Sequence, residues 1–328
     1  MPSNRLYAGP RSDHFDGTRF FNPNGFSPRG FRDLLKWQFR EPSAQWPRTF
    51  PSPHAERPPP ARVNGDTVRV SFIGHASFLI QGADTAILID PVFSARASPT
   101  QWAGPRRVNP PGIAFDALPK IDAINVTHNH YDHMDMPTLA KLWQRDQPRF
   151  ITPLGNDTLL RHGIGAIDVA ALDWGQSTPL ADAITAHCIP TQHWSARGMG
   201  DRCHALWASF VLRIGSRTIY AVGDSGFGDG SIFRDVATLF PSIDLALLPI
   251  GAYEPRWFMQ GAHMNPDDAV QALALCGARH ALGHHWGTFQ LTNEAIDAPP
   301  AALTAALAAQ GVPHEKFVAA RPGAVWEG

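Results

Sequence analysis

The sequence predicts an α/β fold, a four-layer αβ/βα sandwich with two sheets back to back and helices on both outer faces. Two observations carry that expectation. β-rich runs fall in two blocks, each followed by helical patterns, so each sheet gains its own helical cover. The 328 residues show no internal repeat, are 44% hydrophobic and 17% charged, and fit one large domain or two small ones.

Residues 1–62 read as a Pro-rich N-terminal arm. Eleven prolines fall in the first sixty positions. Proline fixes φ and removes a donor, so the arm is expected to run extended over another surface. Within it, "SPRGFRDLLKWQFRE" spaces Phe31, Leu34, Leu35 and Phe39 for one helical face, with Arg32, Lys36 and Arg40 around them. That face either docks on the main domain or, as a basic amphipathic helix, meets lipid headgroups.

Residues 63–328 read as the main domain. "VRVSFI", "SFLIQ" and "TAILID" are short strands between Gly-containing turns, an antiparallel meander. "KIDAINVTH" is an apolar strand, "MPTLAKLWQRD" a helix, "RFITP" a strand and "GNDTLLRHG" a short helix closed by Gly163. "DVAALD", "AITAHCIP", "LWASFVLRIG" and "RTIYAVGD" form the second β block. "SIFRDVATLF" is helical, "DLALLPI" a buried strand, and "NPDDAVQALALCGA" a helix capped by Asn265 with Pro266 at its first position. "HALGHHW" runs from strand into loop, "APPAALTAALAAQG" is the last helix, and "KFVAA" and "GAVWE" are closing strands.

A net charge of −1 gives no clustered basic footprint, which argues against a nucleic-acid partner. The three cysteines, Cys188, Cys203 and Cys276, are far apart and form no CxxC, so a reducing, cytoplasmic setting is expected rather than a disulfide framework. The first residues carry no basic-then-apolar secretory pattern, and no apolar run approaches a membrane-spanning length. Any membrane contact is therefore expected to be peripheral. Nothing in the sequence decides between a monomer and a homodimer.

The chemistry concentrates in "INVTHNHYDHMDMP". His128, His130, Asp132 and His133 form H-x-H-x-D-H after an apolar strand, hence in a loop at its C-terminal end. Imidazole and carboxylate at this density suit zinc, and also iron or manganese. Four ligands within six residues do not fit one ion comfortably but can serve two adjacent ions. Further ligands stand at other strand ends: His193 in "IPTQHW", Asp224 in "YAVGDSG", and His284 or His285 in "LGHHWG". Each alone reads as readily as a structural residue; the tight cluster does not, because four unpaired polar groups beside a buried strand are costly to desolvate. Asp135 drops out of the cluster and is expected to cap the helix beginning near Met136.

A strand-end His, an Asp and a further His after H-x-H-x-D-H resemble the metallo-β-lactamase fold superfamily. "GHASFLI", "IDPVFSARASPTQWAGPRR", "THNHYDHMD", "TQHWSARG", "LPIGAYEPRWFMQGAHMNPDDAV" and "HWGTFQL" look, in this order, like the motifs of the N-acyl-phosphatidylethanolamine-hydrolysing phospholipase D family. The resemblance implies two zinc ions per chain. His128, His130 and His193 would hold one, Asp132, His133 and His285 the other, and Asp224 would bridge them. It selects His285 over His284. Asp90 would orient a ligand histidine, or serve as a turn residue before Pro91; His75 would do the same, or be a buried structural histidine. A water between such ions loses a proton near neutral pH and becomes the nucleophile, with Asp132 aiming it.

The resemblance places His263 near substrate, as a leaving-group or oxyanion contact; alternatively it is a structural residue at the entry to the following helix. The family tends to carry Gln just before this His, where this chain has Ala262. Tyr131 could hydrogen-bond substrate or only pack. Trp257, Phe258 and Met259 could line a groove for acyl chains or pack in the core, and Arg256 could pair with a phosphate or be a surface salt-bridge partner. The expected function is a phospholipase D-type phosphodiesterase acting on N-acylated ethanolamine phospholipids or similar lipids. A lactonase or other carboxylic ester hydrolase is the alternative within the fold, a nuclease is disfavoured by the charge, and a non-catalytic metal-binding protein is the alternative outside enzymes.

Overall fold

The structure is a computed structural model and describes residues 4–23, 25–54, 58–198 and 200–328. Fourteen strands form two seven-stranded sheets among the described residues. The first sheet runs in the order β14 (Val325–Glu327), β1 (Arg69–Gly74), β2 (Ser77–Gly82), β3 (Thr85–Ile89), β4 (Ala123–Asn125), β5 (Arg149–Pro153) and β6 (Val169–Leu172). The second runs β13 (Phe317–Ala319), β12 (His280–His284), β11 (Leu245–Pro249), β10 (Arg217–Ala221), β9 (Ser209–Ile214), β8 (Ile184–Ile189) and β7 (Ser177–Ala181). Each sheet joins an antiparallel meander (β1–β2–β3; β8–β9–β10) to a parallel run.

The sheets face each other across one apolar core that includes Val70, Phe72, Ile80, Ile87, Phe210, Leu212 and Leu245. The outer face of the first sheet is covered by α2 (Met136–Asp146) and α3 (Asn156–Ile164), through Leu139, Leu142 and Leu160. The outer face of the second is covered by α4 (Ser231–Leu239), α6 (Pro266–Cys276) and α7 (Ala298–Ala309), through Phe233, Val270, Leu273 and Leu303. This is the expected four-layer sandwich. Asn265 caps α6 with a full capping box, its side chain accepting from Asp268 N at 2.8 Å.

Three local features differ from the sequence reading. β7 is a strand despite Pro179, which is tolerated because β7 is the sheet's edge. The four-residue helix α5 (Arg256–Met259) carries Trp257, Phe258 and Met259, a segment to which the sequence assigned no element. Asp135 sits at the N-cap position of α2 but makes no cap bond: its carboxylate instead accepts from Phe93 N, Ser94 N and Ser94 Oγ, tying the segment after β3 to the start of α2.

The arm runs across the main domain. Phe15 and Phe20 are buried against Cys203, Leu206 and Trp207. Each large apolar group so buried contributes about 1.5–3 kcal/mol. α1 (Phe31–Arg40) docks, but not by its apolar stripe. Leu34 (37% exposed), Leu35 (41%) and Phe39 (83%) face outward; the Phe31 side chain lies outside the described residues. Trp37, about 200° round the helix from Leu35, makes the contact instead. Its Nε1 donates to Asn293 Oδ1 at 2.9 Å, and its ring lies 4.8 Å from that of Phe258. The indole needs a partner for its N–H as well as an apolar neighbour, and Asn293 and Phe258 supply them.

Candidate metal centre

The predicted ligands gather where strands of both sheets end along one edge. β4 leads to His128–His133, β8 to His193, β10 to Asp224 and β12 to His285; the turn between β1 and β2 supplies His75, and the end of β3 supplies Asp90. A main-chain bond from His285 N to His75 O (2.8 Å) stitches the two sheets at this point. Gly223 precedes Asp224 at φ 65°, and a Cβ there would meet the Thr127 side chain at 3.0 Å. His75 (φ 58°), Asp90 (φ 40°) and His285 (φ 65°) also sit in the left-handed region, so backbone strain is concentrated at the site.

The donor atoms form overlapping groups. His128, His130, His193 and Asp224 make one; His75, Asp132, His133 and His285 make a second; Asp224, His263 and His285 make a third. Within the first, His130 Nδ1 lies 2.9 Å from His128 Nε2 and 3.3 Å from His193 Nε2. Nitrogens bound tetrahedrally to one zinc stand roughly 3.3 Å apart, as bonds of ~2.0–2.1 Å require. Within the second, Asp132 Oδ2 lies 2.9 Å from His75 Nε2, 3.2 Å from His285 Nε2 and 3.5 Å from His133 Nε2. Asp224 reaches both groups: Oδ2 is 3.3 Å from His133 Nε2 and 3.6 Å from His193 Nε2, and Oδ1 is 3.1 Å from His285 Nε2.

Outer partners fix the rings. His133 Nδ1 donates to Asp90 Oδ2 (2.7 Å), whose carboxylate also accepts from Thr127 N (2.8 Å) and Thr127 Oγ1 (2.6 Å). His193 Nδ1 donates to Ala262 O (3.0 Å), and His128 Nδ1 donates to Thr127 Oγ1 (3.0 Å). In each case the other ring nitrogen, Nε2, faces the donor groups, the usual supporting arrangement for metal-bound imidazole. Among the described residues, the buried His133 Nε2 and Asp224 Oδ1 have no well-angled hydrogen-bond partner. Orphaned donors and acceptors at this density need an explanation, and a bound cation supplies one.

Electrostatics point the same way. Burial raises the Asp132 and Asp224 carboxyls, but surrounding imidazoles outweigh it and hold both well below the usual carboxylate range. Burial, reinforced by neighbouring imidazoles, pushes His75 and His130 down to about 3. His285 is also penalised by burial, yet Asp224 and Asp132 bring it up to about 9. Two ionised carboxylates among converging imidazoles fit the donor set of a divalent cation, which would take the place of the protons that these carboxylates now hold on His133 and His285.

His284 stays outside the groups. Among the described residues both its ring nitrogens lack partners, and it packs edge-on to Phe78 at 5.5 Å. Arg256 is engaged as a salt-bridge partner, the second of its two expected roles. Its Nη2 donates to Asp268 Oδ2 (2.7 Å) and its Nη1 to His263 O (3.0 Å), so it supports the His263 segment. The apolar trio does not make one lipid-facing wall. Trp257 and Phe258 are half-buried beside α1, where Lys36 Nζ stands 4.3 Å over the Trp257 ring, and Met259 is buried. The Tyr131 hydroxyl donates to Arg197 O at 2.8 Å.

Two contributors carry no role in the sequence reading. The Asn22 amide, from the arm, donates to the main-chain oxygen of His193 at 2.8 Å. Arg197, inside the quoted "TQHWSARG", bonds the ligand loop. No local signal marks Asn22, 171 residues from its partner.

Residues 85–286 match the family model described as "Beta-lactamase superfamily domain", more than half of the chain. The chain belongs to the metallo-β-lactamase superfamily. Within this superfamily it is 37% identical over 267 residues to "N-acyl-phosphatidylethanolamine-hydrolyzing phospholipase D 1" of Caenorhabditis elegans, covering 78% of this chain and 75% of that one. It is 30% identical over 229 residues to "UPF0173 metal-dependent hydrolase PF1764" of Pyrococcus furiosus, covering 68% of this chain and 86% of that one. The solved structure of Igni18, a metallo hydrolase from Ignicoccus hospitalis, superposes with a TM-score of 0.59 at 19% identity, covering 80% of this chain and 98% of that one, and shows the shared fold. The chain is a metal-dependent hydrolase, and its His/Asp cluster fits a metal site.

Proposed function

We propose that this superfamily member is a two-zinc phosphodiesterase of phospholipase D type, acting on N-acyl phosphatidylethanolamine or similar lipids. The observation that carries it is the sharing of Asp224 between two convergent donor groups, together with 37% identity to a relative named for that substrate. His128, His130 and His193 would hold one ion and Asp132, His133 and His285 the other, with Asp224 common to both. Bound zinc would lower the pKa of water and polarise a phosphoryl oxygen.

The chain's own groups do the rest. Asp132, ionised and held from three sides by His75, His285 and His133, accepts a hydrogen bond from the attacking water and aims it in line at phosphorus. A new P–O bond forms as the bond to the leaving alcohol breaks. Burial holds the His263 imidazole well below its usual pKa, so it is neutral, and its unpartnered Nδ1 is available to a phosphoryl or leaving oxygen. The test is a lipid panel with product identification, a lactone beside it, on wild type and Asp132→Asn. Wild type is expected to release phosphatidate from N-acyl phosphatidylethanolamine, and D132N to lose about 10²-fold or more. Lactone turnover alone would replace the phosphodiesterase reading with the ester one.

α1 gives such an enzyme a route to its substrate. Among the described residues no helix is long and apolar enough to cross a membrane, but α1 presents Leu34, Leu35 and Phe39 outward beside the exposed Arg32, Lys36 and Arg40. None of these cations pairs with a carboxylate among the described residues. Interfacial helices combine apolar insertion with attraction to anionic lipid. Leu35→Ser/Phe39→Ser is expected to weaken sedimentation with anionic vesicles by about 10²-fold or more, since burying each large side chain contributes about 1.5–3 kcal/mol and about 1.4 kcal/mol is tenfold. Unchanged binding would exclude α1 as the contact.

A further inference from the structure

We propose that Arg197 is a positioning residue that holds the two ligand-bearing loops of the metal centre in register; this rests on the two-metal reading above. Its Nη1 donates to the main-chain oxygens of Asn129 (2.9 Å) and Met134 (2.8 Å). Those two carbonyls bracket His130, Asp132 and His133, so a single guanidinium nitrogen closes the ligand run into a loop. The guanidinium also lies 4.1 Å from the Tyr131 ring centroid, and the Tyr131 hydroxyl donates back to Arg197 O. Arg197 N is fixed in turn by the Asp201 carboxylate (3.1 and 3.2 Å).

The consequence lies in chain position. Arg197 stands four residues after His193 and follows it out of the same strand, β8. His193 belongs to the second β block, whereas the loop from His128 to His133 belongs to the first. The spacing between His193 Nε2 and His130 Nδ1 is thus set by contacts that cross from one sheet to the other, and Arg197 makes two of them directly. Ala208 N to Thr127 O (3.0 Å) is a further tie, but it lies at the foot of the loop, before the first ligand.

Arginine suits the task because its planar fork meets carbonyl acceptors while its face stacks on a ring. Lysine can reach a carbonyl but cannot stack, and methionine fills the space without a donor. The test compares Arg197→Met and Arg197→Lys with wild type. Metal-stripped protein is titrated with Zn²⁺ against a chromophoric chelator, and the absorption spectrum of the Co²⁺-loaded form is recorded. R197M is expected to bind metal about 10–100-fold more weakly, the range found when the groups that orient metal ligands are removed. Its Co²⁺ bands should shift, and R197K should recover part of the affinity. Thermal unfolding of the metal-stripped proteins identifies which variants fold; should R197M not fold, R197K alone is expected to show a smaller loss and an altered spectrum. Wild-type affinity and an unchanged spectrum in the folded variants would overturn the positioning role while leaving the two-metal reading intact. A wild type that takes up no metal would overturn both.

Discussion

Asp224→Ala is expected to leave the protein with less than half of its wild-type metal content and to lower hydrolysis by at least the ~10²–10³-fold that loss of one preorganised charge-stabilising group costs. The reason is that this carboxylate serves both donor groups. Its Oδ2 lies 3.3 Å from His133 and 3.6 Å from His193, and its Oδ1 lies 3.1 Å from His285. It is 3% exposed, so water does not readily replace it. Removing it also takes away the charge that, against the cost of burial, helps hold His133 well above its usual pKa and His285 at about 9. Either single group keeps three or more donors without Asp224. Loss of one ion with full retention of the other would therefore mean that Asp224 belongs to one site. Metal content by atomic emission, measured beside turnover, separates these outcomes. Full content with full activity would remove the shared-carboxylate reading altogether.

The centre was legible where ligands are dense in sequence and obscure where they are joined only by folding. His128, His130, Asp132 and His133 lie within six residues after an apolar strand, and a run of such polarity has few other uses. His193, Asp224 and His285 became readable because each follows a β-rich run, and sandwich strands deliver their C-terminal ends to one edge. The sheets themselves were visible as blocks of alternating or continuous apolar residues, though β7 was hidden by Pro179 and α5 by having only four residues.

Partnership was the part that sequence did not carry. Arg256 could be read as a phosphate contact or as a salt-bridge partner, and the choice falls to Asp268 at the start of α6, brought close by the fold. The apolar stripe of α1 was evident, yet docking was decided by the N–H of Trp37, whose acceptor Asn293 is 256 residues away. Asp135 looked like a helix cap, and its carboxylate was taken by Phe93 N and Ser94 instead. Hydrogen-bond acceptors are assigned by tertiary geometry, so residue type and spacing predict that a polar group needs a partner without naming it.

Asp90 shows how far such unseen partnerships reach. Its buried carboxylate accepts from His133 Nδ1, Thr127 N and Thr127 Oγ1, and Thr127 Oγ1 in turn accepts from His128 Nδ1. One side chain thereby sets the tautomer of one histidine directly and supports another through a hydroxyl, in both donor groups. Asp90→Ala is expected to cost about 3–5 kcal/mol, because it leaves the buried His133 Nδ1 and Thr127 donors without their acceptor, and to weaken metal binding by about 10–100-fold. Asp90→Asn keeps the shape but replaces one acceptor oxygen with a donor, which must then face Thr127 or His133 N–H. It is expected to fold better than the alanine variant while still losing metal affinity. Denaturation with and without a chelator isolates the two effects. The chelated proteins report the hydrogen-bond network alone, and the extra stabilisation on adding Zn²⁺ reports the site. A variant that loses stability equally in both conditions, with unchanged zinc affinity, would make Asp90 a structural carboxylate with no influence on the metal.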